Sequence, residues 1–138
     1  MSSKKTLTFM QFLIINSQLA GISDTWADLW VLIFYTSLSA GRLLALRYDD
    51  IDNDSILIRE RGRLKALRVE IPPRAMSMIT RRRERYPEDI FLFQSHSNRV
   101  KNECRPVTII AFNAALRHVS KSLPVVTVSS SSARNITM

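Results

Sequence analysis

The stretch "TSLSAGRLLALRYDDID" (residues 36–52) constrains the fold more than any other, because it interrupts an apolar helical pattern. A wide apolar stripe, typical of a central helix, predicts a helix over about 25–38: Trp26, Leu29, Trp30, Ile33 and Phe34. After Gly41 a short amphipathic helix is predicted over about 41–47, and the acidic residues of "YDDIDNDS" then favour a turn. The chain must therefore accommodate a break between two helices at this point.

The flanking sequence predicts further helices and one hairpin. A first helix is predicted over about 8–20, capped by Thr6 or Thr8 and ended by Gly21, and Ser23 or Asp24 can cap the next helix. The segments "SILIRE" (55–60) and "LRVEI" (67–71) favour two strands joined around Gly62. Three more elements complete the pattern: a helix over about 73–85, a short buried strand at 90–93, and a helix from Pro106 and Thr108 to about Lys121.

These elements predict an α+β fold class that is mostly α-helical with a small antiparallel β-hairpin. A length of 138 residues with 46% hydrophobic residues is enough for one domain with a real core, which we expect over residues 1–138. "VVTVSSSSARNITM" (125–138) reads as a loop that enters a helix start near Ala133. We expect Val125, Val126 and Val128 to form an exposed apolar patch and the fold to be marginal or to oligomerise.

The charge of the chain favours a polyanion as partner. The formal net charge is +8, and residues 59–138 carry sixteen Lys/Arg against six Asp/Glu, whereas residues 1–58 carry four against six. Four basic residues alternate along the hairpin and would share one face if the strand stayed regular: Arg59, Arg61, Arg63 and Lys65. Arg99 and Lys101 add a basic loop, so these six residues are the predicted contacts to the backbone of a nucleic acid. In "RRRER", Arg82 and Glu84 are expected on the solvent side of their helix.

Several other classes of protein are excluded by the composition. The single cysteine, Cys104, excludes a disulfide framework and a cysteine-based zinc site, and His96 and His118 are too far apart to support a metal site. The apolar stretch between Asp28 and Arg42 has thirteen uncharged residues, short of the roughly 20 that a membrane span needs. We therefore expect a protein of the cytoplasm that has no membrane partner and no metal.

The interrupted helix and the order of the elements resemble the catalytic domain of tyrosine recombinases, the phage-integrase family. The family's first box usually reads T-G-L-R-x-x-E-L-L-x-L-R-(W/Y)-x-D-I-D, and the residues that fit it are Thr36, Leu38, Leu43, Leu44, Leu46, Arg47, Tyr48, Asp50, Ile51 and Asp52. "IFLFQSHSNR" is similar to a later family segment, L-F-x-S, and "VTVSSSSAR" is similar to the approach to a second box, H-x-x-R, with Arg134 in the arginine place. The resemblance covers nearly the whole chain.

The resemblance implies a tyrosine that attacks a DNA phosphodiester, two arginines that bind the phosphate oxygens, and a lysine and histidines that move protons. Ser39 stands where the family has its first arginine, and Ser37 where it has a glycine. Ser131 stands where the family has a histidine, and Arg134 matches the second arginine. Lys65 is the nearest candidate for the lysine, although Arg61 or Arg63 would also fit the spacing. The implied catalytic positions are therefore Arg134 and Lys65.

No tyrosine stands in the nucleophile's place. Tyr35, Tyr48 and Tyr86 all precede Arg134, where the family has structural aromatics. We expect an integrase-like domain that lacks the portion carrying the nucleophile, is inactive as this chain, needs no cofactor, and belongs to a bacterial, plasmid or phage mobile element. Its partners, as the resemblance implies, would be double-stranded DNA and other recombinase subunits. Three alternatives stay open: a recombinase fragment completed by another chain, a non-enzymatic basic DNA-binding regulator, and a decayed gene product with no role.

Overall fold

The computed structural model describes residues 6–96, 104–122 and 128–137, and the chain divides into two compact units. One unit is formed by residues 1–40 and 109–138, and the other by residues 41–108. In chain order the elements are β1 (Leu7–Thr8), α1 (Phe9–Ile22), α2 (Asp24–Thr36), α3 (Ala40–Leu44), β2 (Ser55–Ile58), β3 (Leu67–Glu70), α4 (Pro73–Arg85), α5 (Ile109–Val119) and β4 (Ile136–Thr137). Short 3-10 turns lie at Tyr48–Asp50, Ser120–Ser122 and Ser132–Arg134.

The first helix is fixed at its start and along one face. The hydroxyl of Thr8 accepts a hydrogen bond from the Gln11 N–H at 3.1 Å, and the Gln11 side chain accepts one from the Thr8 N–H at 2.9 Å, which is a capping box. Phe12, Ile15 and Leu19 are buried. The predicted end at Gly21 is wrong, since α1 runs on to Ile22 and is capped by Ser23, whose N–H donates to the Leu19 carbonyl at 2.9 Å.

The predicted helix break is confirmed. The hydroxyl of Ser23 caps α2, whose predicted inner stripe is buried at Leu29, Trp30 and Ile33. The helix ends at Thr36 because Ser37 adopts a left-handed conformation, with φ of 57°, that ends helices. A new short helix begins at Ala40, so the break spans Ser37 to Ser39.

A parallel strand pair closes the first unit. Leu7 of β1 pairs with Ile136 of β4, and Thr8 pairs with Thr137. The predicted helix start near Ala133 is a single 3-10 turn that leads into β4, and strands of two residues are too short to leave a sequence pattern. Ala133 and Val128 are buried, so the expected exposure of Val128 is wrong. Val125 and Val126 lie outside the described residues.

The second unit contains the predicted antiparallel hairpin, although its strands are shorter than expected. The register runs from Ser55 opposite Glu70 to Ile58 opposite Leu67, and Gly62 has the positive φ of 59° that the connection requires. The prediction of a strand through Glu60 is wrong, because β2 ends at Ile58. The regular alternation of basic side chains beyond residue 58 is therefore not formed.

Helix α4 has its predicted bounds and one unexpected inner residue. Ala75, Met78 and Ile79 are buried, and Glu84 is exposed as predicted. The expectation that Arg82 faces solvent is wrong, because its side chain is only 1% exposed and its Nε donates to the Leu92 carbonyl at 3.0 Å.

The two remaining predicted segments differ at their edges. Leu92 and Phe93 are buried as predicted for 90–93, but the segment makes only an isolated bridge, between Phe91 and Arg47. Helix α5 starts at Ile109, after the predicted Pro106 and Thr108, and buries Phe112, Ala115, Leu116 and Val119. Of the helices that the structure describes, none has the length and apolar character needed to cross a bilayer.

Candidate nucleic-acid interface

The first unit holds Arg134 against the helix break. The Nε of Arg134 donates a hydrogen bond of 2.8 Å to the main-chain oxygen of Ser37. Arg134 ends the 3-10 turn of Ser132–Arg134, which is anchored by the buried Ala133 and followed by β4. Two segments that are far apart in sequence, the break and the final turn, thus meet through one side chain.

The serine loop before Arg134 is ordered by its own hydrogen bonds. The N–H of Ser129 donates to the Ser132 hydroxyl at 2.9 Å, and the N–H of Ser130 donates to Oδ1 of Asn113 on α5 at 2.9 Å. Ser131, in the predicted histidine place, is exposed, and its hydroxyl oxygen lies 3.0 Å from that of Ser129. The loop therefore presents hydroxyl groups and one guanidinium.

Local hydrogen bonds stabilise the helix break whose Ser37 carbonyl accepts the bond from Arg134. The hydroxyl of Thr36 donates to the Leu32 carbonyl at 2.8 Å and accepts from the Leu38 N–H at 3.2 Å. Ser39, in the predicted first-arginine place, is half-buried. Among the described residues no carboxylate pairs with Arg134, and its bond to Ser37 uses Nε alone. The two terminal nitrogens of an exposed arginine held in this way can bind the oxygens of an anion.

The second unit contains the basic hairpin, which Arg42 closes at its base. The Nη2 of Arg42 donates to the carbonyls of Arg59 at 3.3 Å and Lys65 at 2.8 Å, and Arg42 is buried. Its side chain therefore joins the two arms beyond the end of β2. Sequence reasoning missed this role, although Arg42 lies within an apolar helical pattern beside Leu43 and Leu44.

The tip of the hairpin carries exposed positive charge. Arg61 and Leu64 exchange two main-chain hydrogen bonds of 2.9 Å, which form a tight turn. The Arg61 guanidinium packs over Gly41, where an added Cβ would lie 2.8 Å from Nη1. Arg61, Arg63 and Lys65 are all exposed, so the side chains predicted to contact DNA are accessible at this turn.

Arg59 differs from the other hairpin cations because it has an acidic partner. Its Nη2 lies 2.6 Å from Oδ1 of Asp50, a buried residue of the acidic turn, and its Nε lies 3.0 Å from the same oxygen. Burial acts to raise the pKa of Asp50, but the hydrogen bonds from Arg59 and the Arg47 N–H, with the charges of both arginines, hold that pKa below its ordinary value. Asp50 is therefore an ionised anchor for the hairpin base.

The three tyrosines are engaged in packing. The Tyr48 hydroxyl oxygen is buried, and burial is the largest cause that raises the pKa of Tyr48 above its ordinary value. The Arg83 guanidinium carbon lies 4.4 Å from the centre of the Tyr48 ring. The ring of Tyr86 stacks on His96 at 4.3 Å, and Tyr35 meets Phe34 edge-on at 5.4 Å.

The predicted site residues are distributed over both units. Arg134, Ser39 and Ser131 belong to the first unit, and the four hairpin residues from Arg59 to Lys65 belong to the second. Arg99 and Lys101 lie outside the described residues. In the part of the chain that the structure describes, no group of three or more His, Cys, Asp or Glu residues could hold a metal ion.

Solved structures of recombinases share this arrangement of elements. The XerA recombinase matches with a TM-score of 0.76 at 16% identity, over 97% of this chain and 48% of that chain. The lambda integrase catalytic core matches with a TM-score of 0.72 at 15% identity, over 95% of this chain and 79% of that chain. The chain has the fold of a tyrosine recombinase catalytic domain. A Tn1549 transposon integrase in complex with circular intermediate DNA shares this recombinase fold, with a TM-score of 0.72 at 15% identity over 97% of this chain.

The likeness is one of fold rather than of close sequence. The chain spans 40% of the length of lambda integrase chains solved as a dimer bound to a core site and as a tetramer bound to a Holliday junction. No protein-family model matches the sequence. No curated protein matches it either.

Proposed function

We propose that the chain is a recombinase-like DNA-binding protein, of the kind that acts in DNA integration and recombination, and that it binds the phosphate backbone of duplex DNA. The observation that carries this proposal is the bond from Arg134 Nε to the Ser37 carbonyl. It fixes an exposed guanidinium by one nitrogen and leaves the other two to meet phosphate oxygens. The structural neighbours that were solved on DNA support the same ligand.

Pre-organisation is the physical advantage of this arrangement. An arginine side chain loses rotamer freedom when it binds a phosphate, and that loss opposes binding. Arg134 has already lost part of that freedom through its bond to Ser37. A bidentate guanidinium contact to phosphate is also among the stronger hydrogen-bonded interactions in proteins.

The hairpin cations add attraction that does not depend on sequence. Arg61, Arg63 and Lys65 are exposed at the turn, whereas Arg59 is neutralised in part by Asp50. We therefore assign the first three to backbone contacts and Arg59 mainly to the stability of the hairpin. Arg99 and Lys101 remain proposed contacts from the sequence.

The chain by itself is proposed not to cleave DNA. Ser39 and Ser131 are neutral and cannot supply the positive charge or the imidazole of the positions that they occupy. None of the three tyrosines is free of packing contacts, and burial holds the pKa of Tyr48 above its ordinary value. Partnership with recombinase subunits that bring these groups, in the cytoplasm of a bacterial host, is part of the same proposal. No cofactor is required.

The test is a titration of a short duplex DNA, followed by fluorescence anisotropy at several salt concentrations. Replacing one phosphate-binding cation should reduce the slope of log affinity against log salt by about 1. Arg134→Ala should show this change and lose about 1.5–3 kcal/mol of binding free energy, the range for hydrogen bonds to charged groups. Arg134→Lys should keep the slope and lose part of the affinity, because the charge remains but the planar fork is gone.

Arg117→Ala is the matched control, since Arg117 is an exposed arginine of the same unit on α5. Both alanine variants change the net charge equally, so long-range attraction is altered to the same extent. If Arg117→Ala weakens binding as much as Arg134→Ala, the contact assigned to Arg134 is refuted. If the unmodified chain does not bind duplex DNA at low salt, the proposed function as a whole is refuted.

A further inference from the structure

Helix α1 has an outer face that is unusual for the surface of a soluble domain. Its inner face buries Phe12, Ile15 and Leu19. On the opposite side Met10 is 65% exposed, and Leu13 and Ile14 are exposed as well, while Ile22 is exposed at the end of the helix. The fourteen residues of α1 include no charged side chain. An exposed apolar face that lacks charge favours association with another protein surface.

Large and small residues lie at opposite ends of this outer face. At 100° per residue, positions 10, 14, 17 and 21 form one stripe along the helix, directly opposite the buried stripe. Met10 and Ile14 are bulky, whereas Ser17 and Gly21 are small and exposed. Nothing lies within 4 Å of a Cβ added at Gly21, so the small end is open space.

We infer that α1 is the interface for a second copy of this chain, related by a two-fold axis that places the two α1 helices antiparallel. An antiparallel pair centred between Ile15 and Asn16 would set Met10 opposite Gly21 of the second copy, and Ile14 opposite Ser17. Each bulky side chain then fills the space beside a small one, which is how ridges and grooves of packed helices interlock. A parallel pair would set Met10 on Met10 and Gly21 on Gly21, leaving a clash at one end and a void at the other.

This self-complementarity favours a second copy of the chain, rather than an unrelated protein, as the partner that binds the outer face of α1. A surface that fits itself after a two-fold rotation is what an isologous dimer requires. The absence of charge on α1 also removes local like-charge repulsion, although the chain carries a net charge of +8. The helix is held by its capping box and by the Trp30 Nε1 bond to the Phe12 carbonyl at 3.1 Å, so the outer face is presented on a fixed element.

The association is measured by sedimentation equilibrium of the full chain without DNA, so it does not depend on the proposed DNA binding. We expect a reversible dimer. Ile14→Lys should weaken the dimer at least about tenfold by placing a charge in the centre of the interface. Ile110→Lys is the matched control, because Ile110 of α5 is 77% exposed and equally apolar but lies outside the stripe, and it should leave dimerisation unchanged.

Gly21→Leu tests whether dimerisation depends on the stated register or only on the apolar area of α1. The leucine has room in the monomer and replaces a glycine in the last turn of α1, so the fold is retained, which circular dichroism checks. It enlarges the apolar face but fills the space assigned to Met10 of the second copy, so we expect at least about tenfold weaker dimerisation. Stronger dimerisation of this variant would overturn the antiparallel register.

Disulfide trapping tests the same register directly in a Cys104→Ser background. A mixture of the Met10→Cys and Gly21→Cys chains should give a covalent dimer faster than either chain alone. Faster trapping of Met10→Cys alone would contradict the two-fold arrangement. A wild-type chain that is monomeric at every concentration, or a dimer that Ile14→Lys leaves intact, would overturn the inference entirely.

Discussion

Nη2 of Arg59 lies 2.6 Å from Oδ1 of Asp50, and this ion pair joins the acidic turn to the base of the hairpin. The Arg47 N–H donates to the other carboxylate oxygen at 3.1 Å. The carboxylate is buried, whereas the arginine side chain is largely exposed. The main effect of the pair is therefore to stabilise the ionised form of Asp50.

Stability should depend on pH through Asp50. Its pKa is lower in the folded chain than the ordinary value of 3.8. The ionised carboxylate therefore stabilises the fold above that value, and its contribution is lost as the pH falls through the lower folded pKa. Urea unfolding at a series of acidic pH values should give a flatter profile for Asp50→Asn than for wild type.

Arg59→Ala is the matched variant for that measurement. It removes the cation but leaves the carboxylate and the Arg47 N–H in place, so it should flatten the profile only in part. An Asp50→Asn profile as steep as that of wild type would show that this carboxyl does not carry the pH dependence.

A stabilising substitution is predicted at the helix break. Ser37 has φ of 57°, a conformation that costs a residue with a side chain about 1–2 kcal/mol and glycine almost nothing. Ser37→Gly should therefore raise the free energy of unfolding by about 1 kcal/mol and the Tm by a few degrees. The main-chain oxygen that binds Arg134 is kept, so DNA affinity should not fall.

The converse change at the hairpin is the control for this prediction. Gly62 has φ of 59°, and a Cβ there meets no atom within 4 Å, so Gly62→Ala isolates the conformational cost. It should lower stability by about 1 kcal/mol. Equal and small effects of both variants would contradict a left-handed conformation at these two positions.

The buried arginine of α4 should matter more for stability than an exposed arginine of the same helix. Arg82→Ala removes the bond to the Leu92 carbonyl and leaves a cavity beside Phe93, so we expect a loss of about 2–5 kcal/mol in urea unfolding. Arg74→Ala, at an exposed position near the start of α4, should change stability by less than about 0.5 kcal/mol.

Arg82→Met separates the two causes of that loss. Methionine fills much of the volume without the hydrogen bond, so an intermediate value indicates that packing and the bond both contribute. A value for Arg82→Ala as small as that for Arg74→Ala would be inconsistent with the burial of Arg82.

Covalent chemistry should be absent when the chain is tested alone. Incubation with nicked duplex DNA, followed by denaturing electrophoresis, should give no phosphotyrosyl adduct, whereas an active tyrosine recombinase on its own nicked substrate provides the positive control. An adduct would refute the proposed inactivity, and Tyr→Phe changes at Tyr35, Tyr48 and Tyr86 would then identify the attacking residue.

Local patterns in the sequence were sufficient to predict the helices, the break and the hairpin pairing. Helical periodicity identified α4 to its last residue, and the left-handed end of α2 lies where the helix was expected to be interrupted. The error at Arg82 came from residue type, since positions 75, 78, 79 and 82 share the spacing of one inner face. Periodicity was the better guide at that position.

Features that depend on distant contacts could not be predicted in this way. The hairpin leaves regular strand geometry after Ile58. Beyond that point the side chain of Arg42, on α3, donates hydrogen bonds to the carbonyls of Arg59 and Lys65, one in each arm. The place of Arg134 depends on β4, whose two residues have no periodic signature. Sequence patterns report local preference, whereas these contacts are set by tertiary packing.

The parallel pairing of Leu7 with Ile136 has a consequence for the order of folding. Closing a loop that contains almost the entire chain is entropically costly, and such contacts form after local ones. The helices can therefore form early, while the guanidinium of Arg134 reaches its acceptor only when the outermost strands meet. A nascent or partly unfolded chain would hold most of its secondary structure, but Arg134, the residue proposed to bind phosphate, would not yet be in place.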